Sequence, residues 1–255
     1  MILTHDNYFG IDANKEYMSV SQFKAFEKCP ACALAEINGE YERETTTALL
    51  VGRYIDSFFE GTLNEFTENS PEMFKRDGTL KADFVHAGEI IKRVRRDPLW
   101  MRYATGQQQI IMTGEINGVA VKIMIDSLHP DKIVDRKIMK DFADIYVPEK
   151  GLLPYFEAWG YDIQGAVYQE IVRQNTGKML PFYLAAATKE KTPDIDVLRI
   201  EQNILDFAME KFKYNVAEYD AIKKGIIEPV RCQKCDYCRS TKLLTEPTSS
   251  EEYYL

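Results

Sequence analysis

The sequence predicts one α/β domain in which a central mixed β-sheet is flanked by helices. Two observations indicate this class: helical periodicity up to Pro98 and again after Leu152, and, between them, three segments rich in Val and Ile that are joined by turn residues. With 255 residues and 45% hydrophobic content, the chain can bury a substantial core. We therefore expect one domain over residues 1–230, with a cysteine-containing tail, 231–255, packed on it.

Three helices are expected before Pro98. The first begins at a capping-box pattern, Ser19 to Gln22, and has a break expected at Pro30. The second is TTTALLVGRYIDSFFEG, with Gly61 as its stop, and the third is GTLKADFVHAGEIIKRVRRDP. Each has apolar residues at helical spacing, so each should bury one face.

The middle of the chain reads as three strands in an antiparallel meander. These are QQQIIMTGEI, VAVKIMID and KIVDRKIM, separated by turns at Asn117-Gly118 and at His129-Pro130-Asp131. A helix over 152–175, two strands (MLPFYLAAAT and DIDVLRI) and a closing helix that starts at Gln202 complete the predicted domain.

Charge and hydropathy exclude some classes of protein. The net charge of -8 argues against a protein that coats nucleic acid through clustered Lys and Arg. The start, MILTHDNYFG, lacks a basic stretch followed by an apolar run, and no segment approaches the roughly 18 apolar residues that span a bilayer. We expect a cytoplasmic protein that does not associate with membranes.

Three charged residues on the predicted strands need partners or a task. Asp126 ends the second strand, while Asp135 and Lys137 share one face of the third because alternate side chains do. If the intervening turn folds these strands side by side, two carboxylates meet, and each raises the pKa of the other unless a cation lies between them. Mg²⁺ or Mn²⁺ would suit such oxygen ligands, and the lysine could orient an activated water. The alternative is a surface ion pair between Asp135 and Lys137.

A polar pair follows on the next predicted helix. Gln164 and Tyr168 lie four residues apart in YDIQGAVYQEI, so their side chains share one helix face and can reach the same groove. The alternative is that Tyr168 packs in the core and Gln164 is solvated.

In this order and spacing, the residues resemble the PD-(D/E)XK nuclease superfamily. The likeness is to the RecB-like branch, which contains phage and prophage exonucleases similar to exonuclease VIII (RecE-like) and lambda exonuclease. SVSQFKAFEKCP resembles the opening helix of that branch, and GRYID at 52–56 matches its G-x-x-x-H motif except at Asp56. Asp135 to Lys137 stands where D/E-x-K falls, and Gln164 to Tyr168 where Q-x-x-x-Y falls.

The resemblance implies a restriction-endonuclease-like core and a set of roles. Asp126, Asp135 and the main-chain carbonyl of Arg136 would bind the metal, and Lys137 would be the catalytic lysine. Gln164 and Tyr168 would position DNA or the active-site strands. Asp56, in place of histidine, could bind metal through oxygen with altered affinity, or leave a second metal site unused. Glu115 is a further candidate acid; its alternative is an exposed residue beside the hairpin turn.

Five cysteines form two groups, Cys29 with Cys32 and the triplet Cys232, Cys235 and Cys238. Without a secretory signal, disulfides are not expected, and C-x-x-C-x-x-C suggests metal binding. The resemblance implies that Cys29 completes a 4Fe-4S cluster with the triplet, although the final gap is shorter than in relatives. A Zn²⁺ site of Cys29, Cys32, Cys232 and Cys235 competes, as do reduced, partly buried thiols.

We therefore expect a Mg²⁺- or Mn²⁺-dependent exodeoxyribonuclease that degrades one strand from duplex DNA ends for phage-type recombination. By resemblance, its partners would be DNA, a single-strand annealing protein and further copies of itself in a ring. The alternatives are a DNA-binding or assembly protein that keeps the fold but has lost turnover, which Asp56 favours, and a zinc-stabilised structural module.

Overall fold

The structure is a computed structural model that describes residues 1–244 and 246–247. Within them the helices are α1 (Ile11–Glu16), α2 (Val20–Lys28), α3 (Pro30–Asn38), α4 (Thr47–Glu60), α5 (Leu63–Glu68), α6 (Ala82–Arg95), α7 (Pro98–Ala104), α8 (Tyr155–Ala158), α9 (Tyr161–Thr176), α10 (Gln202–Lys223) and α11 (Asp236–Ser240). The strands are β1 (Ile110–Ile116), β2 (Val119–Ile125), β3 (Ser127–Leu128), β4 (Ile133–Met139), β5 (Ile145–Val147), β6 (Gly151–Leu153), β7 (Phe182–Thr188) and β8 (Ile195–Arg199).

A mixed four-stranded sheet forms the centre, with strand order β3-β4-β7-β8. β4 and β7 run parallel, whereas β3 and β8 are antiparallel to their neighbours. The predicted class, a mixed sheet flanked by helices, is therefore confirmed.

Alternation along β7 divides the core into two layers. Phe182, Leu184 and Ala186 pack with α9 and α10 on one face of the sheet. Ala185 and Ala187 pack with α4, α6 and α7 on the other. Because successive side chains of a strand point to opposite faces, β4 must present its charged residues to these two layers in turn.

The predicted helix signals are confirmed. The Ser19 hydroxyl accepts a hydrogen bond from the Gln22 backbone N–H, and the Gln22 side-chain oxygen accepts one from the Ser19 backbone N–H, each at 3.2 Å. α2 ends at Lys28, and α3 begins at Pro30. Proline lacks a backbone N–H, but at the first position of a helix that group would have no partner within the helix. α4 ends at Gly61, whose φ of 76° suits the left-handed region.

The predicted meander is only partly correct. Asn117 and Gly118 both have positive φ, as expected of the hairpin between β1 and β2. However, that hairpin forms its own two-stranded sheet, and β4 pairs with β3 and with the distant β7. The ladder stops at Asp126, whose carboxylate accepts the Arg136 backbone N–H at 2.9 Å. At this point the Asp126 side chain, instead of the backbone of a neighbouring strand, accepts the hydrogen bond from β4.

The segment after residue 230 contacts the N-terminal helices. Ala31 donates its N–H to the Val230 carbonyl at 3.2 Å, and Cys238 packs against Cys29. The division into a domain over 1–230 and a packed tail stays a prediction, and residues 245 and 248–255 of that tail lie outside the described part. Among the described residues, no helix has the length and apolar character needed to cross a bilayer.

Candidate active site

The charged residues of β4 separate onto the two faces of the sheet. Asp135 and Lys137 point toward α9, and the Lys137 ammonium lies 2.5 Å from Oδ2 of Asp135. Arg136, between them in sequence, points toward α4, where its guanidinium lies over the Phe59 ring. Asp135 is 1% exposed, so the alternative of a surface ion pair does not describe this arrangement.

Asp126 joins this pair from the break between β2 and β3. Its carboxyl group adjoins that of Asp135. Burial raises the pKa of Asp135 to about 7, with Lys137 opposing and Asp126 adding to this effect. Burial lowers the pKa of Lys137, but Asp135 and Asp126 raise it above its ordinary value. The structure therefore brings the three predicted residues together.

The carboxylates fit a hard divalent cation. Two adjoining acids, one of them buried with a raised pKa, are destabilised as anions unless a cation lies near both. Oδ2 of Asp135 is buried and has no hydrogen bond, only the ion pair with Lys137. Asp126 and Asp135 could thus hold Mg²⁺ or Mn²⁺ through oxygen. The role of the Arg136 carbonyl as third ligand stays a prediction.

The polar pair on α9 contacts the strands that carry the acids. Gln164 donates its amide to Oδ1 of Asp135 at 2.7 Å, and the Tyr168 hydroxyl donates to the Met124 carbonyl at 2.9 Å. Both side chains are buried. Of the two roles implied by the resemblance, these contacts favour positioning of the active-site strands over contact with DNA.

Asp56 lies at the edge of the site, where its side chain is partly exposed and its carboxylate faces Arg136. Its carboxylate is 3.5 Å from Nε of Arg136, and burial together with Asp126 raises the pKa of Asp56. Glu60, one helical turn later, is 3.8 Å from Nη2 of Arg136. Our sequence interpretation missed Glu60 and the Arg136 side chain. The signal was present, since a residue between Asp135 and Lys137 must face the opposite layer.

Gln109 is another residue that the sequence interpretation missed. It has a φ of 51°, uncommon for a residue with a side chain, at the start of β1. Its amide donates to Glu60 at 2.7 Å and lies 3.5 Å from Oδ1 of Asp126. The ring of His5 is hydrogen-bonded to the Gln109 carbonyl at 2.8 Å. Gln109 thus links α4 to Asp126, and no local sequence pattern indicates this.

Lys24 of α2 was also missed, and its ammonium group is a second cation near Lys137. Both ammonium groups lie 5.3 Å from the centre of the Tyr161 ring. Lys24 also donates to the Trp159 carbonyl at 3.1 Å, and its stem passes over Gly160, where a Cβ would approach it to 2.9 Å. Burial and Lys137 lower the pKa of Lys24 to about 8. Two lysines therefore flank one side of the site.

Glu115 is not part of this site, which corrects our expectation. It pairs with Ala120 near the hairpin turn, whereas Asp126 follows the opposite end, where Ile110 pairs with Ile125. At about 3.3 Å per residue, the six residue steps from Ala120, opposite Glu115, to Asp126 separate the two acids by roughly 20 Å. Glu115 is exposed, as its alternative interpretation required.

The cysteines converge on a separate centre. The sulfur atoms of Cys29, Cys232, Cys235 and Cys238 all lie within 4.8 Å of one another. Cys29 and Cys232 lie 3.5 and 3.9 Å from Cys238, close to the roughly 3.8 Å between sulfurs of a tetrahedral site with Zn–S bonds of about 2.3 Å. The backbone N–H groups that follow Cys232 lower its pKa to about 6. This donor set fits Zn²⁺ or, with wider spacing, an iron–sulfur cluster.

Cys32 lies outside this group, so the structure does not bring together the competing set with Cys32 in place of Cys238. Its sulfur contacts Glu36 at 3.9 Å and Arg43 at 4.0 Å. Burial and Glu36 raise the pKa of Cys32 to about 11, which disfavours the thiolate that a metal needs.

Comparisons with known proteins agree with this geometry. The sequence model of one family, described as a PDDEXK-like domain of unknown function (DUF3799), matches residues 19–241. A crystal structure from Eubacterium rectale, described as a "putative exonuclease", is 46% identical, covers 99% of this chain and 98% of its own, and superposes with a TM-score of 0.95. No curated protein matched the sequence.

Proposed function

The chain belongs to the family of PDDEXK-like domains, and from that premise we propose that it is a metal-dependent nuclease that hydrolyses phosphodiester bonds in DNA. The observation that carries the proposal is the convergence of Asp126, Asp135 and Lys137 at one edge of the central sheet. Three charged groups are costly to bring together where one of them, Asp135, is buried, and a phosphodiester with its divalent cation is the substrate that uses all three.

The side chains of this site have distinct roles in the proposed reaction. When bound, the divalent ion supplies charge neutralisation on the phosphate and lowers the pKa of a water. The Lys137 ammonium, beside Asp135, orients the attacking water and stabilises the charge that develops on phosphate oxygen. Gln164 holds Oδ1 of Asp135 and so fixes the direction of the carboxylate. Lys24 offers a second positive charge for the DNA backbone.

The finer assignment is an exonuclease that degrades one strand from duplex ends. It is supported by the 46% identity with the Eubacterium rectale protein and by the likeness to the RecB-like branch. By the same likeness we propose Mg²⁺ or Mn²⁺ as the cofactor, a role in phage-type recombination beside a single-strand annealing protein, and assembly into a homo-oligomer around DNA.

The four cysteines form a structural metal centre in this proposal. It joins α2 and α3 to the segment after residue 230, and it takes Zn²⁺ or a 4Fe-4S cluster. The two occupants are distinguished by the visible absorbance of the purified protein, which Zn²⁺ lacks, and by its zinc and iron content.

A DNA-binding or assembly protein without turnover is the second candidate, favoured by Asp56 in place of histidine. The intact ion pair of half-buried Lys137 with buried Asp135, beside Asp126, argues against it. A chain released from catalysis gains nothing from this cost.

The test compares the wild type with Lys137→Ala on end-labelled linear duplex and on closed circular DNA, in Mg²⁺, Mn²⁺ or chelator. Lys140→Ala is the matched control, since Lys140 lies just beyond β4 with 94% of its side chain exposed. We expect metal-dependent loss of linear DNA, abolished by Lys137→Ala alone. Absence of cleavage by the wild type, with DNA binding equal in all three proteins, would favour the binding protein.

A further inference from the structure

A buried guanidinium lies among the acids beside the candidate metal site. The Arg136 side chain is 1% exposed and keeps its charge, because guanidinium is not deprotonated in proteins. Nε lies 3.5 Å from Asp56 and Nη2 lies 3.8 Å from Glu60, while Nη1 donates to the Asp126 carbonyl at 3.2 Å. A permanent positive charge is thus fixed between the acids of α4 and Asp126.

The donors on this side of Asp126 also occupy its oxygen atoms. Oδ2 accepts the Arg136 N–H at 2.9 Å, and the Gln109 amide lies 3.5 Å from Oδ1. In two-metal nucleases the ions lie about 3.5–4 Å apart and share ligands between them. A second ion on the α4 side of Asp126 would therefore lie against the guanidinium, whose positive charge repels it.

The balance of charge points the same way. With all four of its carboxyl groups ionised, as metal binding requires, the cluster and its two cations, Arg136 and Lys137, carry two net negative charges. One divalent ion neutralises these, whereas two would leave an excess of positive charge. Lys24 at the edge of the site adds to that excess.

We propose that Arg136 takes the place of a second metal ion, so that the site binds one divalent cation, held by Asp126 and Asp135. The proposal rests on the proposed function as a metal-dependent nuclease and deepens it. It also accounts for Asp56, since a carboxylate pairs with the guanidinium, whereas the histidine of the related motif would place a neutral or positive ring beside it.

Counting bound Mn²⁺ by isothermal titration calorimetry, on the full chain without DNA, tests the proposal. We expect one ion in the wild type. Asp135→Asn removes a proposed ligand but not the guanidinium, so it should bind no Mn²⁺ at the site. Any Mn²⁺ that this variant binds measures the background from surface acids. Arg136→Met keeps the length of the side chain but removes the guanidinium from the Asp56 and Glu60 carboxylates and from the Asp126 main-chain carbonyl, so it should bind two.

A count of two ions, or of none, in the wild type would overturn the proposal. So would a count of one ion in Arg136→Met, provided that a cooperative melting transition shows this variant to be folded. If Arg136→Met does not fold, the wild-type count still decides, with one ion supporting the proposal and any other number refuting it. Because no cleavage is measured, failure of the nuclease assignment is seen separately: a chain that binds one Mn²⁺ but leaves DNA intact refutes the function and not the count.

Discussion

Replacing Gln164 with leucine removes the hydrogen bond that directs Asp135. The amide donates at 2.7 Å to a carboxylate that is itself buried, and hydrogen bonds to charged groups contribute about 1.5–3 kcal/mol. Because the bond favours the ionised form, which is also the form that binds metal, its loss should weaken Mn²⁺ binding directly. A loss of about 2 kcal/mol corresponds to roughly 30-fold weaker binding. This agrees with the 10- to 100-fold effect typical of groups that orient a ligand.

Calorimetric titration with Mn²⁺ at neutral pH measures this effect without DNA. Gln169→Leu is the matched control, since Gln169 lies on the same helix, is also buried, and donates to the Leu180 carbonyl and to Gln202 instead. Both variants should lose stability, because each leaves a buried acceptor without a donor. Only Gln164→Leu should lose Mn²⁺ affinity. Binding within threefold of the wild type in Gln164→Leu would refute the reasoning.

Three further changes test other parts of the molecule. Lys24→Met should weaken DNA binding in Ca²⁺ and reduce the slope of log K for DNA against log salt by about 0.9. Lys28→Met, one turn further along α2, should change this slope less. Equal slopes for the two variants would contradict the role of Lys24. Cys238→Ser should lower the melting temperature and the bound metal content, whereas Cys32→Ser should leave the metal content unchanged, and equal metal in both would count against the four-cysteine centre. Tyr168→Phe deletes the hydrogen bond to β2 and should cost about 0.5–1.5 kcal/mol in a denaturant titration, with unchanged stability as the opposing result.

The parts of the site that were predicted depend on local periodicity. The period of two along β4 is enough to put Asp135 and Lys137 on one face, and the Asn117-Gly118 turn is enough to form the hairpin. The helix spacing of Gln164 and Tyr168 likewise guarantees a shared face, although it does not say that both would be buried.

The parts that were missed depend on contacts between distant segments. Periodicity indicates that Arg136 points away from Asp135, but only the packing of α4 decides which acids meet it. The parallel pairing of Ile133 with Phe182 was missed for the same reason, since no turn residues mark a crossover of that length. Glu115 was misjudged because residue type was weighed without its distance along the strand from Asp126.

Spacing also left the cysteine ligands undecided. Cys29 and Cys32 are both compatible with C-x-x-C, and only the turn of α3 decides between them. That helix directs Cys32 toward Glu36 and Arg43 and leaves Cys29, at its N-cap, near the C-terminal triplet.

The cysteine centre sets an order of events during synthesis on the ribosome. Cys29 emerges early, but its partner Cys238 lies 209 positions later, so the thiol remains without its ligand set while the rest of the domain is translated. The last strand of the central sheet ends at Arg199, before any residue of the triplet has been made. The carboxylates of Asp126 and Asp135 can therefore meet in a nascent chain whose four sulfurs have not yet come together. If the proposed metal centre forms, binding of its metal would be a finishing step that stabilises a domain whose pair of acids is already assembled.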